Sequence, residues 1–92
     1  MVEEWEAKAL RMLEDARRLS EVHRRVLNYF LENISVGVIR SVKELKALGV
    51  EEAERVIEEL VVMGYLEEGM ECYNLAAPLR ELVFRKRGHV RV

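Results

Sequence analysis

A mainly helical domain carrying a small β-hairpin is the fold class that three observations predict. Apolar residues recur at helical spacing through most of the chain up to Met63, Gly49 and Gly64 interrupt that spacing, and the run from Tyr65 to Leu75 folds about a turn at Glu68-Gly69-Met70. Ninety-two residues with fifteen Lys and Arg against seventeen Asp and Glu describe one small domain of net charge −2. A chain of this length leaves little room for a deep catalytic cleft and reaches roughly 5 to 14 kcal/mol of stability when it folds alone.

From Val2 to Leu19 the chain holds no Gly or Pro and is rich in Glu, Ala, Leu and Arg, which predicts a first helix on propensity. Trp5, Ala9, Met12, Ala16, Leu19, His23, Val26 and Phe30 fall at alternating steps of four and three, the spacing of a seam that faces another helix. Ser20 ahead of Glu21 is placed to cap a new helix, so a bend is expected there. The seam of Trp5, Ala9, Met12, Ala16 and Leu19 has two uses open to it: packing on the chain's own body, or pairing with a second copy in a homodimer.

Val22, Val26, Leu27, Phe30 and Leu31 then form the buried stripe of a second helix from Glu21 to Asn33, with Arg24, Arg25, Asn28 and Glu32 outside. Val36-Gly37-Val38-Ile39 is a short β-prone run, and Ser41 stands as N-cap of a helix from Val42 to Leu48. Gly49 ends that helix, and another begins near Glu51 with buried positions Ala53, Val56, Ile57, Leu60 and Val61, closed by Gly64. Pro78 just inside a helix start predicts a last helix from about Ala77.

The stretches SVKELKALGV (Ser41 to Val50), AERVIEELVVMGYLEE (Ala53 to Glu68) and YNLAAPLRELV (Tyr73 to Val83) resemble the winged helix-turn-helix superfamily of small archaeal and bacterial regulators. They correspond there to the supporting helix and turn, the reading helix running into the first strand of the wing, and the returning strand. Many such regulators end that strand Tyr-x-Leu-Thr-x-x-Gly-Arg-Glu-Leu; here Ala76 replaces the Thr and Leu79 the Gly. The resemblance covers residues 20–85 and implies a winged helix-turn-helix with an extra N-terminal helix. Residues 1–19 then form a candidate dimerisation element and residues 86–92 a basic C-terminal tail.

That resemblance implies duplex DNA as the commonest partner, with the Glu51 helix in the major groove. The charges on that helix resist the transfer. Its outward positions are Glu51, Glu52, Glu54, Arg55, Glu58 and Glu59, and the turn of the wing adds Glu67, Glu68 and Glu71 without a cation. A duplex carries one negative charge per ~1.7 Å of axis, so these carboxylates would be repelled. The cations lie elsewhere. Residues 80–92 carry five basic groups and one acidic, a net +4, whereas residues 1–79 carry ten and sixteen, a net −6. The candidate nucleic-acid contacts are therefore Arg40, Lys43, Lys46, Arg55, Arg85, Lys86, Arg87 and Arg91, with Arg24, Arg25 and Arg80 nearby in sequence.

The function expected first is a homodimeric DNA-associated factor, a transcription regulator or chromosome-associated factor that holds duplex DNA mainly by its phosphates; the alternative is a module whose acidic helix and wing dock on a basic protein partner in a multi-subunit assembly. Catalysis, a metal and a cofactor are not expected, because His23, His89 and Cys72 form no recognised ligand or nucleophile spacing and the glycines form no phosphate-cradling loop. Cys72 is expected to be a small buried apolar residue, and with one cysteine no internal disulfide is possible. No uncharged run approaches the length needed to cross a bilayer, and the N-terminus lacks the layout of a secretion signal, which makes the cytoplasm the expected compartment. The absence of Gln and Thr, with charged residues at 35%, fits a hyperthermophilic source.

Overall fold

The computed structural model describes residues 3–92. In chain order the elements are α1 (Glu4–Ala16), α2 (Glu21–Asn33), β1 (Ser35–Gly37), α3 (Val38–Ala47), α4 (Ala53–Met63), β2 (Leu66–Glu68), β3 (Cys72–Leu75) and α5 (Ala77–Arg85). The three strands form one antiparallel sheet in the order β1-β3-β2. The mainly helical class with a hairpin is what the spacing predicts. The start of the first helix at Val2 lies outside the described residues.

The stripe of α2 organises the core. Val26, Leu27, Phe30 and Leu31 are buried, and α2 touches α4 on one side and α5 on the other. Val56, Ile57 and Leu60 of α4 and Leu79 and Leu82 of α5 complete this layer, with Leu45 of α3 and Leu66 and Leu75 of the hairpin closing it. The boundary between α1 and α2 falls where the Ser20 hydroxyl accepts a bond from the His23 backbone N–H at 3.3 Å, the cap expected there. Gly64 adopts the left-handed conformation (φ 91°), and Tyr65 N–H then bonds back to Leu60 O at 3.0 Å, satisfying a carbonyl that the end of α4 would leave free.

Two local expectations are corrected. Val38 and Ile39 belong to α3 and not to a strand, and Ser41 lies inside that helix, wholly buried, with its hydroxyl donating to Val38 O at 2.8 Å. The reason is tertiary: β1 stops at Gly37 because β3 ends opposite it at Cys72, and the next N–H, that of Val38, bonds to Glu71 O at 3.0 Å. Cys72 is only half-buried, with its sulfur 3.8 Å from Asn74 Oδ1.

Of the two uses open to the N-terminal seam, packing on the chain's own body is the one realised here. α1 lies against α5, Ala9, Leu13 and Ala16 are buried, and Trp5, Met12 and Leu19 pack partly buried against the core. Ala9 and Ala16 are fully enclosed by their own chain and have no surface to offer a second copy. The Arg85 guanidinium stacks over the Trp5 ring at 5.4 Å, tying the end of α5 to the start of α1.

Residues 86–92 fold back as an arm. Arg87 and Gly88 both take positive φ (53° and 82°), reversing the chain, and Val90 is buried. The Asn28 side chain of α2 then grips the last residue twice: Val92 N–H donates to Asn28 Oδ1 at 2.8 Å, and Asn28 Nδ2 donates to Val92 O at 3.1 Å. Replacing Asn28 with Ala removes both bonds, a loss of about 1–3 kcal/mol from the docked arm. The expected result is faster tryptic cleavage after Arg87, with the melting of the remaining body little changed.

Charge also enters the fold. The Tyr29 hydroxyl donates to the Glu44 carboxylate, and this bond, with Arg40 at 3.3 Å, holds the Glu44 carboxyl below the ordinary carboxylate range, while burial pushes the Tyr29 hydroxyl up. A carboxyl whose folded pKa is depressed contributes stability that is present above its unfolded value and lost as pH falls through the folded one. Urea midpoints are therefore expected to hold down to about pH 5 and to decline towards pH 3, with Tyr29→Phe flattening the decline.

Candidate functional site

α4 presents one long exposed face because its apolar stripe is spent on the core. On that face Arg55 is held by its neighbours: Nη2 donates to Glu52 at 2.8 Å, and Nη1 donates to Glu59 at 3.1 Å. Its charge is thereby neutralised within one turn on either side. Glu59 also meets His23 Nε2 at 2.9 Å, and the His23 Nδ1 lies 2.5 Å from the Ser20 hydroxyl. The His23 contact, followed by the Arg55 charge, keeps the Glu59 carboxyl below its usual range. His23 is therefore a bridge between the start of α2 and the middle of α4, a role that its place on the apolar seam did not disclose.

Glu51, Glu54 and Glu58 remain on the face without an ion pair among the described residues. The hairpin brings its own carboxylates to the same place. Tyr73, on β3 opposite Glu68, has its hydroxyl pushed up by burial first and then by the charges of Glu68, Glu58 and Glu54. One phenol thus feels carboxylates from both α4 and β2, so helix and hairpin generate a single negative field.

Apolar side chains stand beside these charges. Val62 continues the stripe of Arg55 and Glu58 and is 87% exposed, Met63 follows it half-exposed, and Met70 at the hairpin turn is 94% exposed between Gly69 and Glu71. His23, Arg55, Glu58, Glu59, Val62 and Met63 line a shallow groove of about 490 Å³ along this edge of α4. Such a face can hold a cationic partner electrostatically while its Val and Met side chains lose water on contact.

The cations expected to meet nucleic acid are not gathered on one side. Arg40 pairs with Glu44 at 3.3 Å, Arg55 with Glu52 and Glu59, and Arg85 with Glu81 at 3.1 Å. Arg40 and Lys43 line one groove of about 930 Å³, but Glu44 and Glu71 line it with them. Lys46 lies in the last turn of α3, at the negative end of the helix. Arg25 donates to Leu48 O at 2.5 Å and Arg80 to Leu75 O at 3.4 Å, so both serve backbone carbonyls. Lys86, Arg87 and Arg91 are carried on the returning arm. The local pairings of Arg40, Arg55 and Arg85 follow i,i+3 and i,i+4 spacings that the sequence displays.

Residues 20–81 match the family model described as PolB1 Binding Protein 2. The chain belongs to that family. The matched residues run from the cap of α2 into α5 and include the acidic face of α4 and the whole sheet; α1 and the arm lie outside them. No curated protein matches the chain. Among the described residues, no group of three or more His, Cys, Asp or Glu is placed to hold a metal ion, and no helix is long and apolar enough to cross a membrane.

Proposed function

We propose that this chain is a non-enzymatic winged-helix interaction module that docks on PolB1 through the acidic face shared by α4 and the hairpin. The observation that carries this reading is the row of exposed carboxylates without an ion pair among the described residues, Glu54 and Glu58, on α4, with exposed Val62 and Met63 further along that helix and the acidic strand β2 packed against it. The family's name supplies the partner, and the charge of the face supplies the chemistry expected of it: a basic surface with apolar hollows. We read the order α2-β1-α3-α4-β2-β3 as that of a winged helix-turn-helix, which would put α4 in the place of the reading helix. A row of carboxylates in that place is repelled by a duplex and attracted by a basic protein, so the element serves a protein and not a groove.

Dimerisation has no part in this reading, because the seam that could pair two copies is used inside the chain. Calorimetric titration of PolB1 with this protein is expected to show one copy bound per polymerase, with an affinity that falls as salt rises. Absence of binding at micromolar concentration and low salt would overturn the proposal.

A further inference from the structure

The folded arm creates a second charged feature, far in character from the acidic face. Between α1 and the arm lies a cleft of about 250 Å³ whose floor includes Leu10 and Leu13 and whose rim carries Arg17, Lys86, His89 and Arg91. No carboxylate lines it. Arg17, Lys86 and Arg91 are exposed, and none of them forms an ion pair among the described residues. This contrasts with Arg40, Arg55 and Arg85, each of which has a carboxylate within 3.3 Å.

Three cations without an ion pair among the described residues, Arg17 just past α1 and Lys86 and Arg91 on the arm, are brought to one cleft by the packing of α1 on α5, the reversal at Arg87-Gly88 and the grip of Asn28 on Val92. Like charges collected in this way repel one another, and the cost is relieved when an anion with several charges spans them. Three exposed cations on one cleft suit a polyanion such as a chain of phosphates better than a single small anion. This cleft shares no lining residue with the groove on the acidic face.

We propose that the cleft between α1 and the C-terminal arm binds the phosphate backbone of a nucleic acid, without reading its bases. Arg17, Lys86 and Arg91 hold successive phosphates, His89 adds a donor, and exposed Leu10 meets the sugar edge. The site lies almost wholly outside the residues that match the family, and it is independent of the PolB1 reading.

Fluorescence anisotropy with end-labelled duplex and single-stranded oligonucleotides of random sequence tests this, using the protein without PolB1. Three cations on three duplex phosphates predict an affinity that drops about 40-fold between about 50 and 200 mM salt. The variant Arg17→Ala/Lys86→Ala/Arg91→Ala is expected to bind at least 10-fold more weakly at low salt and to lose most of the salt dependence. Its circular dichroism should match the parent, since all three side chains are exposed. Lys43→Ala/Lys46→Ala, on α3, should bind as the parent does. Failure of the parent to bind either strand form at low salt overturns the proposal, as does a loss that follows the α3 variant and spares the triple variant.

Discussion

Replacing Phe30 with Ala is expected to lower the stability of this domain by about 3–5 kcal/mol, which is about a fifth or more of all that a chain of this length holds. Phe30 has no exposed surface, and its ring meets Tyr29 edge-on at 5.1 Å and Tyr73 edge-on at 6.4 Å. It thereby links α2 to the central strand of the sheet. The edge-on contacts add about 0.5–1.5 kcal/mol each beyond the buried area, and truncating the ring leaves a cavity at the centre of the core. Urea unfolding measures the loss. Phe84→Ala, which removes an equally large ring that is 61% exposed, should shift stability by less than about 0.5 kcal/mol. Equal effects at the two positions would contradict the core described here.

The largest expected effect on function is at the acidic face. Glu54→Lys/Glu58→Lys exchanges two attractive charges for two repulsive ones without touching the buried stripe of α4, since both side chains point to solvent. Each reversal at a complementary interface is worth about 1–2 kcal/mol, so the affinity for PolB1 should fall about 100-fold, more steeply at low salt than at high. Glu32→Lys, at an exposed position on α2 away from this face, provides the comparison and should leave the affinity within a factor of about two. A double variant that binds as tightly as the parent would place the partner elsewhere on the molecule. The neighbouring salt bridges of Arg55 to Glu52 and Glu59 remain in this variant, so its unfolding transition is expected to stay close to that of the parent.

These two expectations rest on parts of the molecule that were legible to very different degrees. The stripe of α2, the closure of α4 at Gly64 and the hairpin about Gly69 could all be read from spacing and turn residues, because each is decided by contacts a few positions apart. The row of carboxylates on α4 was equally plain, since outward positions follow once the inward ones are known. Its union with the hairpin was not. Glu58 and Glu68 come onto neighbouring elements only because β2 packs on α4.

The misread pieces share a cause. Ser41 has the residue type of an N-cap, but β1 needs a partner 37 positions away, and the end of that pairing moves the helix start to Val38. His23 looked like a polar interruption of a seam, yet Glu59, 36 positions on, gives it a partner. The C-terminal cations stand in the sequence as a basic tail and candidate nucleic-acid contacts without a place in the fold, because neither the turn at Arg87-Gly88 nor the grip of Asn28 across 64 positions leaves a periodic trace.

Local propensity, apolar spacing and the list of charges therefore determined, without coordinates, that this protein is a small helical body with a hairpin and an acidic outward helix. Tertiary structure alone decided that the N-terminal seam is spent within the chain, that three of the expected cations are neutralised while three others meet in a cleft, and that helix and hairpin act as one acidic surface. The reason is physical: hydrogen bonding and burial within a helix act over three or four residues and are written in order along the chain, whereas electric fields act through space and take their shape only after distant segments have packed.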